Sequence, residues 1–264
     1  MDRIRIQLKG VNKVFKTRNK VIHALDNINL EVKEKEFVAI VGPSGCGKST
    51  IIRLIDDIIK PTSGEIYVDG ERFEKTVPKE VIQKMGFVFQ HPNLLPWLTV
   101  RQNIEFPLTI LGKDPEQYKD YVDRLLNMIG MTKMANAMPS ELSQSMLQRV
   151  GVVRAMVHKP EILLMDEPFG ALDETMREQL NMELLDIWAE YEQTIVFITH
   201  NVVEAILLAD RVYIMATNPG RIVDCMTIDF PRPRSLDILA DKKFLQYERK
   251  IIDTIGTLDL SKIK

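Results

Sequence analysis

The sequence has little cysteine, no long apolar run and no excess of charge of either sign. Two cysteines, Cys46 and Cys225, among 264 residues make neither a disulfide framework nor a cysteine-rich metal cluster, so a reducing compartment fits best. No uncharged apolar run approaches the roughly 20 residues that span a bilayer. The start, Met1-Asp2-Arg3-Ile4-Arg5, lacks the apolar stretch of a signal peptide. A cytosolic chain is expected, with any membrane association supplied by a partner. Thirty-five basic residues against 37 acidic ones leave a net charge of -2 and a pI near 6.1, which gives no bulk attraction to nucleic acid. The length allows a sizeable core in one large domain or two intimately joined ones.

What is present begins with Gly42-Pro43-Ser44-Gly45-Cys46-Gly47-Lys48-Ser49-Thr50, a complete phosphate-binding loop. Glycines let the backbone fold into a concave nest of N–H groups, and the following helix turns the positive end of its dipole on the same anion. Lys48 then neutralises the β and γ phosphates, and Ser49 offers its hydroxyl to Mg²⁺. Cys46 reads as a small loop residue. Both flanks agree: Phe37-Val38-Ala39-Ile40-Val41 reads as a buried strand, and Ile51, Ile52, Leu54, Ile55, Ile58 and Ile59 recur at helical spacing up to Pro61.

The first third otherwise alternates as antiparallel strands, at Ile4–Leu8, Ile28–Val32 and Glu65–Val68, expected beside the nucleotide strand. From Pro92 to Val157 the texture is helical and methionine-rich, with Val122, Leu125, Leu126 and Ile129 on one face and Pro107, Pro115 and Pro139 marking breaks. Met128, Met131, Met134 and Met138 read as packing for this insert's own core. After Pro160 strand and helix alternate, which predicts a mostly parallel sheet with helices on its faces. The tail from Asp241 carries Phe244, Leu245, Ile251, Ile252 and Ile255, the pattern of a docked amphipathic helix.

A second chemical motif follows Pro160. Ile162-Leu163-Leu164-Met165 is an apolar strand that carries Asp166 and Glu167 to the sheet edge, where ligands of open α/β sheets bind. Asp166 is suited to hold Mg²⁺ through water, and Glu167 to orient a water for in-line attack on the γ-phosphate.

The phosphate loop, Phe89-Gln90, Leu142-Ser143, Asp166-Glu167, Gly170-Ala171-Leu172-Asp173 and Thr199-His200 stand in the order found in ATP-binding subunits of ABC transporters. The chain resembles that family from about Ile6 to Phe230. The resemblance implies an α/β fold: a P-loop, mostly parallel sheet core over 1–91 and 158–264, with an N-terminal antiparallel β subdomain and a helical signature subdomain at 92–157. It also implies ATP and Mg²⁺ as cofactors, adenine stacking by Phe15, Mg²⁺ and partner sensing by Gln90, γ-phosphate contact by His200, and Asp173 at a dimer interface. Leu95-Pro96-Trp97-Leu98-Thr99-Val100, Asn218-Pro219-Gly220-Arg221-Ile222 and Phe230-Pro231-Arg232-Pro233-Arg234 are similar to the nitrate, sulfonate and taurine importer branch. That branch pairs such a subunit with a membrane permease and an external solute-binding protein, with no role for nucleic acid.

One motif departs from the family. The signature beginning Leu-Ser normally continues with two glycines, whereas this chain reads Leu142-Ser143-Gln144-Ser145-Met146. Ser143 keeps its capacity as helix N-cap and phosphate donor. Side chains at Gln144 and Ser145 either hold the loop back from the phosphate and slow hydrolysis, or change little because helical backbone needs no glycine. In the family's head-to-tail dimer the signature completes the opposite subunit's site, so the effect would fall on the partner's ATP. The expected protein is therefore an importer ATPase on the cytoplasmic membrane face, in a homodimer or heterodimer. The alternative is a regulatory subunit that binds ATP and hydrolyses it slowly.

Overall fold

The computed structural model describes residues 3–17, 20–73 and 78–260 of the chain, with side chains through 256. In chain order the strands and helices are β1 (Ile4–Lys16), β2 (Val21–Lys33), β3 (Phe37–Val41), α1 (Lys48–Ile55), β4 (Ser63–Val68), β5 (Glu71–Arg72), α2 (Lys79–Ile82), β6 (Met85–Val88) and α3 (Val100–Ile110). There follow α4 (Lys119–Met128), α5 (Gln144–Met156), β7 (Ile162–Asp166), α6 (Glu174–Tyr191), β8 (Thr194–Ile198), α7 (Val202–Leu208), β9 (Arg211–Ala216), β10 (Arg221–Thr227) and α8 (Lys242–Leu260).

Two sheets organise these elements. The first has the order β2-β1-β4-β5 and is antiparallel. Its pairings Ile6↔Val32 and Leu8↔Leu30 put buried apolar residues on one face, as the alternation predicts, and a register shift between Leu8 and Val11 brings Val11, opposite Ile28, into the same core. The second has the order β10-β9-β3-β8-β7-β6 and is parallel except for the edge strand β10. Strands β3, β7 and β8 are buried at every residue, which is why they read as continuous apolar runs. Their alternate residues feed two cores. Phe37, Ala39, Leu163, Met165, Ile195 and Phe197 face the core shared with α3 to α8. Val38, Ile40, Ile162, Leu164, Val196 and Ile198 face the one shared with α1 and the antiparallel sheet.

Three expectations need correction. The antiparallel strands form a sheet of their own, because β8 and β9 occupy both sides of β3. Helix α1 stops at Ile55, short of Pro61: Asp57 turns into the left-handed region at φ 59°, leaving Ile58 exposed while Ile59 packs on the core. Pro107 lies inside α3 and does not end it. It forgoes one intrahelical N–H bond, while the Thr99 cap, its box with Gln102 and buried Ile104 and Leu108 hold the helix. Pro115 and Pro139 do open short 3₁₀ turns.

Elsewhere the apolar patterns serve as read. Val122, Leu125, Leu126, Ile129 and Met131 are fully buried, with Met128 nearly so. On α8, Phe244 and Ile251 dock into the core, while Leu245 and Ile252 on the other side stay about half exposed. Among the described residues no helix is long and apolar enough to cross a membrane.

Candidate functional site

The phosphate loop joins β3 to α1, and its shape depends on glycine. Gly47, which precedes the first turn of α1, sits at φ 96°, and a Cβ there would lie 2.6 Å from Leu25 Cδ2 and 3.1 Å from the Ala24 carbonyl. Lys48, 6 % exposed, curls over the loop and donates to the Gly42 carbonyl at 2.8 Å and the Pro43 carbonyl at 3.3 Å. A cavity of about 390 Å³ opens above residues 44–50, walled also by Gln90, Glu167, His23, Asn218 and Gly220. Cys46 is buried in the loop and burial pushes its thiol up, consistent with an unreactive packing residue.

The parallel strands β7 and β8 bring the acidic groups to this loop. Asp166 ends β7 at 1 % exposure and its Oδ1 accepts the Ser49 hydroxyl at 2.8 Å. Burial raises the Asp166 carboxyl above its ordinary value, opposed by the Ser49 hydrogen bond. Next to it the chain turns sharply: Glu167 has φ 47°, and its N–H donates to the Ile198 carbonyl of β8 at 3.0 Å. This turn aims the Glu167 carboxylate back over the loop, with Oε1 4.0 Å from Lys48 Nζ and Oε2 3.4 Å from His200 Nδ1. Thus Ser49 and Asp166, 117 positions apart in sequence, meet because three strand ends share one sheet edge.

The remaining candidates lie farther out. Gln90 follows β6 and is exposed on the cavity wall. Phe15 is 37 % exposed on the β1–β2 hairpin, with Lys13 Nζ 4.9 Å from its ring centre. Its register partner Ile22 lines the cavity and Phe15 itself does not. Ser143 caps α5, its Oγ accepting the Met146 N–H at 3.3 Å and standing 3.1 Å from Ser145 Oγ. Gln144 and Ser145 are the first helical residues, and neither has a positive φ. Asp173 caps α6 through the Met176 N–H at 3.0 Å. Ser143, Gln144 and Asp173 are exposed, away from this chain's own phosphate cavity.

The structure adds residues that motif reading passed over. His23, Asn218 and Gly220 line the cavity because the β9–β10 turn is wedged against the loop: the Gly220 N–H donates to the Ala24 carbonyl, and the Asp26 N–H to the Gly220 carbonyl. In the sequence Asn218 and Gly220 stood only in the stretch similar to the importer branch, without an address in the site.

A phosphate loop, a strand-borne Asp-Glu pair and a histidine at one sheet edge are shared by many nucleotide-binding proteins, so comparison decides the family. The family model described as "ABC transporter" matches residues 25–170. This chain belongs to the ABC transporter family. An uncharacterized ABC transporter ATP-binding protein of Methanocaldococcus jannaschii is 40 % identical over 265 residues, covering 100 % of this chain and 96 % of that protein. A nitrate import ATP-binding protein of a Synechocystis strain is 41 % identical, covering 93 % of each. An aliphatic sulfonates import ATP-binding protein of Bacillus cereus is 37 % identical, covering 94 % of each. Among solved structures, a dimeric post-hydrolysis ATP-binding cassette bound to ADP and Pi is 34 % identical with a TM-score of 0.78, covering 86 % of this chain and all of that one. The α/β cassette fold and the nucleotide-binding character are those of the family, whose members hydrolyse ATP.

Proposed function

We propose that this ABC cassette is the ATP-hydrolysing subunit of an importer for a small solute of the nitrate, sulfonate and taurine class. It would work as a dimer on the cytoplasmic face of the membrane, beside an integral permease fed by a solute-binding protein. The observation that carries the reading is the convergence of Lys48, Ser49 and Glu167 on one cavity, with Asp166 bonded to Ser49 and His200 set against Glu167. The nitrate and sulfonate import relatives support the solute class, and the dimeric neighbour supports the assembly.

Each residue has a task set by its chemistry. Loop N–H groups of 42–50 and the α1 dipole bind the phosphates, and Lys48 stabilises the charge that develops on them. The Ser49 hydroxyl and Asp166 carboxylate, 2.8 Å apart, are hard oxygen donors that suit Mg²⁺, with Gln90 beside them. Bound there, Mg²⁺ supplies charge neutralisation to the β and γ phosphates. Glu167 polarises the attacking water and His200 contacts the γ-phosphate, while Phe15 offers an aromatic face to adenine. Ser143, Gln144 and Ser145 face the partner's ATP across the dimer, and Asp173 lies at the dimer interface. Residues 1–91 and 158–264 form the nucleotide core in this reading, and the helical unit 92–157 passes closure to the permease. ATP drives the motion because it binds the closed dimer better than the open one.

The slow-hydrolysing regulatory alternative loses support from the helical backbone at Gln144 and Ser145, which is free of the left-handed strain that would demand glycine. The test is steady-state phosphate release by the wild type and Glu167→Gln. The substitution should cut turnover about a hundredfold or more while ATP binding persists. Unchanged turnover in E167Q would refute the assigned role, and an inactive wild type would refute the ATPase reading.

A further inference from the structure

Glu204 is a charged group for which the reading above has no use. It sits on α7 at 4 % exposure, and burial raises its carboxyl above the ordinary range, opposed by Thr199, Arg177, His200 and Asn181. Such a side chain is retained at a cost unless its partners need it. Thr199 Oγ1 donates to Glu204 Oε2 at 2.5 Å, and Arg177 Nε stands 3.5 Å from Oε1.

Both partners lead to the ATPase site. Thr199 Oγ1 also accepts the Asn201 N–H at 2.9 Å, closing a turn around His200. With its proton given to Glu204 and its oxygen taken by Asn201, the hydroxyl has one orientation. The Asn201 side chain in turn caps α7 through the N–H groups of Val203 and Glu204. His200 is the residue enclosed; its ring is thrown outward, 59 % exposed, with Nδ1 3.4 Å from Glu167 Oε2. On the other side, Arg177 donates to the Leu172 carbonyl at 2.9 Å, one residue before the Asp173 cap of α6.

We infer that Glu204 is a positioning residue: it fixes Thr199 so that the His200 ring stays against Glu167, and through Arg177 it ties that placement to the loop ending in Asp173. This rests on the ATPase reading proposed above. A carboxylate suits the position because one oxygen takes the Thr199 proton while the other, which makes no hydrogen bond, stands 3.5 Å from the guanidinium as its counter-charge. The loop that carries Asp173 and the turn that carries His200 thereby move as one piece.

The test is steady-state ATPase of the full chain as Glu204→Ala, His200→Ala and the double variant, with KM for ATP. E204A should lower kcat about tenfold or more and leave KM within about twofold, as loss of orientation does. On the H200A background it should add no further loss, because residues acting as a unit are not additive. Multiplicative losses, or a loss confined to KM, overturn the proposal. Where E204A fails to fold, Thr199→Val removes the Glu204 contact together with the Asn201 N–H acceptor at nearly constant shape and Thr199→Ser keeps both, so T199V should lose kcat and T199S keep it. A second readout needs no turnover: the His200 ring resonance, assigned by its disappearance in H200A, should move in T199V and stay in T199S. An unmoved resonance in T199V overturns the positioning role whether or not the wild type hydrolyses ATP. An inactive wild type with a moved resonance counts against the ATPase reading alone.

Discussion

Replacing Gln144 and Ser145 together by glycine restores the family's usual signature and tests what their side chains do. The two residues open α5 behind the Ser143 cap, and both have ordinary helical backbone. Gln144 is exposed, and the Ser145 hydroxyl lies 3.1 Å from that of Ser143. Glycine at such positions relieves no strain and adds unfolded-state freedom. Each substitution should cost about 0.5 kcal/mol in helix propensity, about 1 kcal/mol for the pair. In a domain of this size that is a fall in Tm of about 2–4 °C. Turnover is a separate quantity. The N–H groups at the start of α5 keep their direction with or without side chains, so ATPase should change by less than about threefold, under 1 kcal/mol in barrier height. Calorimetry and phosphate release on the same preparations measure both. A double variant that melts no lower and hydrolyses ATP tenfold faster or more would refute the argument. It would show that the side chains hold the loop away from the partner's phosphate, in favour of the slow-hydrolysing alternative.

Two further outcomes follow from the geometry around the loop. Asp56, just beyond the C-terminal end of α1, has its carboxyl pushed up to about 7 by burial and then by Asp57, a position where the helix dipole also disfavours negative charge. A raised carboxyl contributes stability that is full below the unfolded value near 4 and lost as pH rises through about 7. Asp56→Asn should therefore raise unfolding free energy by about 1–3 kcal/mol at pH 8 and by little at pH 4; equal denaturant shifts at both pH values would disprove the assignment. Gly220→Ala places a Cβ 2.1 Å from the Cys46 carbonyl and 2.6 Å from that of Ala24, which should cost about 1–3 kcal/mol of stability. Because Cys46 belongs to the phosphate loop, titration calorimetry should also find weaker ATP binding; full affinity in a destabilised G220A would show that the loop does not feel the turn.

The phosphate loop, the Asp166-Glu167 strand and the strand–helix order were legible because they are local. Short-range steric needs, periodicity and the glycines of the loop are written in neighbouring residues. Apolar spacing misled at Ile58 and Ile59, since a left-handed Asp57 ends α1 without glycine or proline to announce it. Pro107 misled in the opposite sense, because tertiary burial of Ile104 and Leu108 outweighs one lost helix bond.

The sequence by itself carried the phosphate-loop motif and the likeness to the family, since motif identity and order survive without coordinates. Only the tertiary structure decided which distant groups meet: Ser49 with Asp166, Glu167 with His200, Gly220 against Cys46, and Glu204 between Arg177 and Thr199. These depend on strand order and on the packing of α6 and α7 against one sheet edge, long-range consequences of burying a shared core that no local pattern encodes.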